Sequence, residues 1–253
     1  MGPSPLLEFF KRGEAARDVK LLAARGALAP RAHEQLAILV LLLEDADPEI
    51  RQTADATLNR IPVEALQAFL ARPDVPVGLR EFFGDRGVFP AQMPAIETDE
   101  PLVESTDDDP IFAAEDGDDR DSAVQKLAKM SFPERLRAAV KGSREMRAIL
   151  VRDPNKMIAL GVLSSPKLTE PEVETIARMA TVSEDVLRTI GSNRAWVKNY
   201  SVVLGLTKNP KAPLAMTMNL IHRLNDRDLN QLSVDRNVPE PLRIAARKKV
   251  LNK

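Results

Sequence analysis

"ILVRDPNKMIALGVLSSPKLTEPEVETIARMATVSEDVLR" spans residues 149–188, and "GLTKNPKAPLAMTMNLIHRLNDRDLNQLSVDRNVPEPLRI" spans 205–244; the two align without a gap at an offset of 56. Leu150 meets Leu206, Pro154 meets Pro210, and Ala159 meets Ala215. Leu168 meets Leu224, Val182 meets Val238, and Glu184 meets Glu240. Conservative pairs such as Glu172/Asp228, Val173/Leu229 and Ile176/Leu232 keep the apolar phase between the identities. An internal repeat of this kind predicts units that bury their apolar faces only by stacking on neighbours, an α-solenoid.

Helix starts within the repeat follow one pattern. Asp153-Pro154 and Asn209-Pro210 predict an N-cap followed by an N1 proline. "TEPE" (169–172) and Ser131 with Glu134 predict capping boxes, and Ser183 and Asn225 predict further caps. The N-terminal part offers the same device. Leu36, Val40 and Leu43 recur at helical spacing, Asp47-Pro48 predicts a new helix, and Ile50, Ala54, Leu58 and Ile61 are its apolar positions. Composition agrees with helices packed on helices: hydrophobic residues are 44% and aromatics only 4%, so Leu, Ala, Val and Ile must fill the core.

"LLLEDADPEIRQTADATL" (41–58) resembles a HEAT repeat, in which an Asp-Pro-Glu-Ile-Arg turn leads into the second helix of a pair. "LQAFLARPDVPVGLR" (66–80) and "LNQLSVDRNVPEPLR" (229–243) share a Val-Pro-x-x-Leu-Arg turn, with a looser copy at 176–188. These turns resemble the HEAT-like and leucine-rich-repeat-variant solenoids of bacteria, over roughly residues 31–90 and 130–253. The resemblance implies a short-helix solenoid that binds macromolecules. It implies no reaction. The cysteine cluster that some leucine-rich-repeat-variant proteins carry is absent, because the chain has no cysteine. Some HEAT-like proteins are DNA glycosylases, but no motif here transfers their catalytic residues.

Charge divides the chain. Residues 1–90 carry 11 basic and 13 acidic residues, 91–122 carry 1 and 12, and 123–253 carry 24 and 12. This predicts a HEAT-like helical module over 1–90, an acidic disordered linker over 91–122, and a basic helical-repeat module over 123–253. "PIFAA" (110–114) is an apolar island in the acidic stretch. It is either a chance apolar pair or a docking motif carried by Ile111 and Phe112.

The basic excess is the main functional signal. Arg135, Arg137, Lys141, Arg144, Arg147, Arg152 and Lys156 cluster, Arg194 and Lys198 flank Trp196, and Arg243, Arg247 and Lys248 crowd the last helix. They are either a solvated surface or a surface for an anionic partner: nucleic acid, an acidic protein, or the chain's own linker. Trp196 and Tyr200 are either a base-stacking platform or, with Val203 and Leu204, a core stripe. The stripe is the more economical expectation. His222 is expected to be a packing or groove residue, with no cluster to make it a metal ligand.

No Gly-rich phosphate loop, no G-x-S-x-G and no H-E-x-x-H occurs, so no enzyme class, cofactor or metal is expected. No apolar run reaches the length of a signal peptide or a membrane span, so a cytoplasmic protein without membrane attachment is expected. The function expected is a non-catalytic scaffold mediating protein–protein interaction. The alternative is a nucleic-acid-binding solenoid whose basic module is contested by the acidic linker.

Overall fold

The computed structural model describes residues 4–92, 99–103 and 120–251. Among the described residues every regular element is a helix and there is no strand. The chain is all-α. Its contacts divide it into two compact units. The N-terminal unit is Pro3–Met146 with Ser164–Pro166, and the C-terminal unit is Arg147–Leu163 with Lys167–Lys253.

The N-terminal unit holds α1 (Pro5–Lys11), α2 (Arg17–Ala24), α3 (Ala32–Leu42), α4 (Pro48–Asn59), α5 (Val63–Leu70), α6 (Val77–Asp85), α7 (Arg120–Ala128) and α8 (Phe132–Lys141). Helices α2, α3 and α4 pack on one another, and α1 packs on α3. The α4 start is the one the sequence predicts. The Asp47 carboxylate accepts the Glu49 N–H at 2.9 Å, and Pro48 occupies N1, where a missing N–H costs nothing. Asp45 and Asp47 also receive Lys20 and Arg17 of α2, at 2.8 and 2.7 Å. The turn between α3 and α4 is therefore held to the preceding helix as well as to its own. Ile50, Ala54, Leu58 and Ile61 are buried as their spacing requires.

The units divide at Met146/Arg147, whereas the charge pattern placed the start of the second module at residue 123. The reason is packing: α8 seats on α2, with Leu136, Ala138, Ala139 and Val140 buried. Net charge marks composition, and buried apolar surface marks where a unit ends.

The acidic stretch also departs from a plain linker. The Ala91 N–H donates to the Gln67 carbonyl at 3.0 Å. Residues 99–103, "DEPLV", lie on the N-terminal unit with Val103 only 8% exposed. Helix α7 begins at Arg120, inside the expected linker. Ile111 and Phe112 lie outside the described residues.

Helix α9 (Arg144–Leu150) runs across the division between the units. The C-terminal unit then holds α10 (Lys156–Val162), α11 (Glu170–Arg178), α12 (Glu184–Ser192), α13 (Tyr200–Lys208), α14 (Leu214–Leu220), α15 (Asp226–Val234) and α16 (Glu240–Leu251), with 3-10 turns at Trp196–Lys198 and Ile221–Arg223. The repeat is visible in these boundaries. Helices α11 and α15 lie 56 residues apart at both ends, α12 and α16 start 56 apart, and so do α9 and α13. Buried positions recur in the same register: Val173 with Leu229, Ile176 with Leu232, Val182 with Val238, Val186 with Leu242, and Ile190 with Ala246.

Packing in this unit runs between alternate helices as well as neighbours. Helix α10 lies on α12, α14 on α16, and α11 on α13. Gly205 permits the last of these, since a Cβ there would come within 3.0 Å of Arg178 Cγ and 3.3 Å of Ala177 Cβ. Tyr200 and Lys208 of α13 reach Asp228 and Gln231 of α15.

Two predicted caps fall elsewhere. Asp153-Pro154 forms a turn in which Asp153 accepts the Asn155 N–H at 2.8 Å, and Asn155 caps α10 through Met157 N at 2.9 Å. Asn209-Pro210 closes α13 instead of opening α14, whose first residue is Leu214. Asn209 is buried, and its amide donates to the Ala177 and Met179 carbonyls at 2.9 and 3.0 Å. It completes the carbonyl end of α11 from across the layer, work that the last carbonyls of any helix need. The capping boxes at Ser131/Glu134 and Thr169/Glu172 form as predicted, and Ser183 and Asn225 cap α12 and α15.

Candidate interaction surface

The basic residues singled out from the sequence separate by burial and pairing. Arg135, Arg137, Lys141 and Arg144 belong to the N-terminal unit, and the other eight to the C-terminal unit. In the N-terminal unit Arg137 is buried, Arg135 and Lys141 are half-buried, and Arg144 is exposed. Arg137 therefore does not present a charge at the surface.

Arg147 does not either. It is 4% exposed, and its Nε and Nη2 donate to Glu172 Oε1 at 3.1 and 2.8 Å. Nη2 also reaches the Lys167 carbonyl at 3.2 Å. The second Glu172 oxygen accepts the Thr169 N–H and hydroxyl at 3.0 and 2.8 Å. One carboxylate thus caps α11 and neutralises a buried guanidinium from α9. Burial alone pushes the Glu172 carboxyl up. The Thr169 N–H, Arg147 and the Thr169 hydroxyl outweigh that and hold it below the usual carboxylate range. Arg147 is a structural cation, and its chemistry here is ion pairing inside the fold.

The remaining cations of the C-terminal unit lie at or near its surface. Lys156 pairs with Asp185 at 3.2 Å, with both side chains about half-exposed. Arg243 is half-buried, with its Nε buried and unbonded. Arg247 is exposed and reaches the Ser233 carbonyl at 3.4 Å. Arg152, Arg194, Lys198 and Lys248 are exposed. Arg194 and Lys198 bracket the 3-10 turn Trp196–Lys198, and Lys248 lies on α16. Exposed charges on such separate elements make a scattered positive field, worth little pairwise and screened by salt.

Trp196 and Tyr200 do not form one stripe. The helix breaks between them, because Asn199 caps α13 by accepting the Ser201 N–H at 2.9 Å. Tyr200 is 38% exposed. Its hydroxyl donates to Asp228 and accepts the Asn225 N–H at 3.2 Å, so it ties α13 to the start of α15. Val203 is buried, as the apolar phase required. His222 is exposed on the 3-10 turn Ile221–Arg223, with Nδ1 3.0 Å from Lys249 Nζ, and so it is not a packing residue.

Apolar side chains also reach the surface of this unit. Leu214 of α14, Val234 of α15 and Ile244 and Leu251 of α16 are exposed at 38, 69, 46 and 76%.

A second feature is barely marked in the sequence. Gln35, on the buried face of α3, is 1% exposed. Its Oε1 accepts the Leu102 and Val103 N–H groups at 2.8 and 3.0 Å, and its Nε2 donates to the Val103 and Gly26 carbonyls at 2.9 and 3.0 Å. The only hint in the sequence is a glutamine followed directly by the apolar run "LAILVLLL" (36–43).

Among the described residues no group of three or more His, Asp or Glu could hold a metal ion. No described helix is long and apolar enough to cross a membrane. Comparison of the chain with family models, curated proteins and solved structures returns no match.

Proposed function

We propose that this chain is a non-catalytic helical-repeat scaffold that mediates protein–protein interaction in the cytoplasm. The reading takes the C-terminal unit as a short α-solenoid of the HEAT-like and leucine-rich-repeat-variant kind, joined to a HEAT-like N-terminal unit. One observation carries it: the α11–α12 pair recurs as α15–α16 with the same 56-residue register in helix starts and in buried positions. Stacked copies of one helical pair bury one side of every helix and leave the other side as a continuous strip for a partner. The exposure of Leu214, Val234 and Ile244 together with that of Arg194, Lys198 and Arg247 in the same unit supports a protein as that partner.

A second reading has its own support. Arg152, Arg194, Lys198 and Lys248 are exposed, and none of them forms an ion pair with a described acidic residue. That favours a nucleic-acid partner, for which cations serve as phosphate contacts. One experiment separates the two. The full chain and its R194E/K198E/R247E/K248E variant are titrated with duplex DNA and with single-stranded RNA from 50 to 300 mM salt. The scaffold reading expects weak binding in both, with no difference between them at 150 mM salt. Micromolar or tighter binding that falls steeply with salt and is lost in the variant overturns it in favour of nucleic acid.

A further inference from the structure

We propose that the Gln35 cleft is a recognition site for an extended Asp-x-Pro-x-Val segment of a partner protein, and that residues 99–103 occupy it in cis as a built-in competitor. This surface belongs to the N-terminal unit, and the proposal stands apart from the scaffold role of the repeat unit, so either can fail alone.

The cleft reads main chain. A glutamine amide has two donor hydrogens and two acceptor lone pairs. Gln35 uses all four, and three go to Leu102 and Val103 backbone atoms. A buried side chain thereby does for one residue what a neighbouring β-strand does for an added strand. An empty cleft would leave that buried amide with most of its bonds unmet, at about 1–3 kcal/mol for each unsatisfied group. The site is built to be filled by a peptide.

Three positions of the segment are selected. At the first, the Asp99 carbonyl accepts the Ala32 N–H at 3.2 Å, one of the unpaired donors at the start of α3. Its carboxylate lies 3.4 Å from Arg72 Nη1. At the third, Pro101 brings no N–H that needs a partner, and its fixed φ lowers the entropy lost on binding. At the fifth, Val103 sits over Gly26, whose φ is +78° and where a Cβ would come within 3.3 Å of Val103 Cβ. Glu100, at the second position, is exposed and unselected.

The cis contact is opposed as well as favoured. Glu34 is 3% exposed beside the segment, and its Oε2 has no hydrogen-bond partner among the described residues. Burial resists its ionisation, Ser4 and Arg31 favour it, and the Asp99 charge resists it again. Asp99 is drawn to Arg72 and set near the buried Glu34 carboxylate at once, so the cis contact is only partly favourable. Tethering already supplies a millimolar effective concentration, so such a segment holds the cleft in cis and still yields to a tighter one in trans.

The test uses the full chain and a fluorescein-labelled peptide of residues 97–105, "ETDEPLVES", read by anisotropy. Val103→Asp should expel the cis segment and bind the peptide at least tenfold more tightly than the wild type. Adding Arg72→Ala should weaken that binding several-fold, and should leave binding of the peptide with Asn at its third position unchanged. Val103→Gly repeats the measurement without added charge, and helical circular dichroism checks that each variant is folded. Three results overturn the proposal: a folded Val103 variant of either kind that does not bind, equal binding by wild type and variant, or a wild-type dimer that Val103→Asp dissolves, which would make a second copy the occupant.

Discussion

Removing the Glu172 carboxylate tests how the C-terminal unit is closed at its first helices. Glu172→Ala deletes four contacts at once: two to Arg147 at 3.1 and 2.8 Å, and two to Thr169 at 3.0 and 2.8 Å. The guanidinium would keep its bond to the Lys167 carbonyl but lose both bonds to Glu172 in a site 4% exposed. Breaking a buried pair from one side costs about 3–5 kcal/mol, and the lost capping box alone about 1 kcal/mol. The two overlap in one residue, so the expected loss is about 3–5 kcal/mol in urea unfolding of the full chain. Arg147→Met/Glu172→Met should recover most of it, since a buried pair replaced by apolar groups of similar volume is often neutral. The carboxyl is held below its usual range, so its stabilisation is present above the pKa of an unfolded carboxyl and is lost as pH falls through the lower, folded value. Glu172→Gln should therefore flatten the acid limb of the stability profile. A loss under 1 kcal/mol for Glu172→Ala, or an unchanged acid limb in Glu172→Gln, would refute the pairing.

Glu34→Gln should raise stability at pH 7 by on the order of 1 kcal/mol, because burial holds that carboxyl above its usual range. The Glu34 contribution runs opposite to that of Glu172: it is present below the unfolded pKa and lost as pH rises through the folded one, so the gain in the variant should vanish near pH 4. Gly26→Ala should cost about 1–2 kcal/mol for placing a side chain at positive φ, and should expose Val103 amide exchange as the segment is pushed off. Asn209→Ala should cost about 2–3 kcal/mol in thermal or urea unfolding, since it strips the Ala177 and Met179 carbonyls of a buried donor. Tyr200→Phe should cost no more than about 1 kcal/mol, as its hydroxyl works at an exposed position.

Much of the helical frame was legible in the sequence because caps and apolar phase are local properties. Thr169/Glu172, Ser131/Glu134 and Asp47-Pro48 needed only their neighbours to declare a helix start. Asn209 was misread for the same reason. Its side chain serves carbonyls thirty or so residues earlier in the chain, and nothing next to it says so. Arg147 looked like one cation among many, since its charge says nothing about burial beside Glu172. Residues 99–103 read as linker because composition averages over a window, whereas Gln35 grips two residues of it. Trp196 and Tyr200 have helical spacing, and the Asn199 cap that breaks the helix between them carries more weight than that spacing. Surface function is harder still, because which exposed side chains share a face depends on packing between helices distant in sequence.

The central claim, that the repeat unit binds a protein, is tested most directly by lysine-reactive cross-linking of the full chain in a native extract, read by mass spectrometry. Exposed Lys198 and Lys248 are the reporters. The account predicts that both cross-link to one protein at constant stoichiometry, and that these links disappear when Leu214, Val234 and Ile244 are changed to Asp. Cross-links confined to the chain itself, with ultraviolet cross-links to nucleic acid at the same helices, would contradict it.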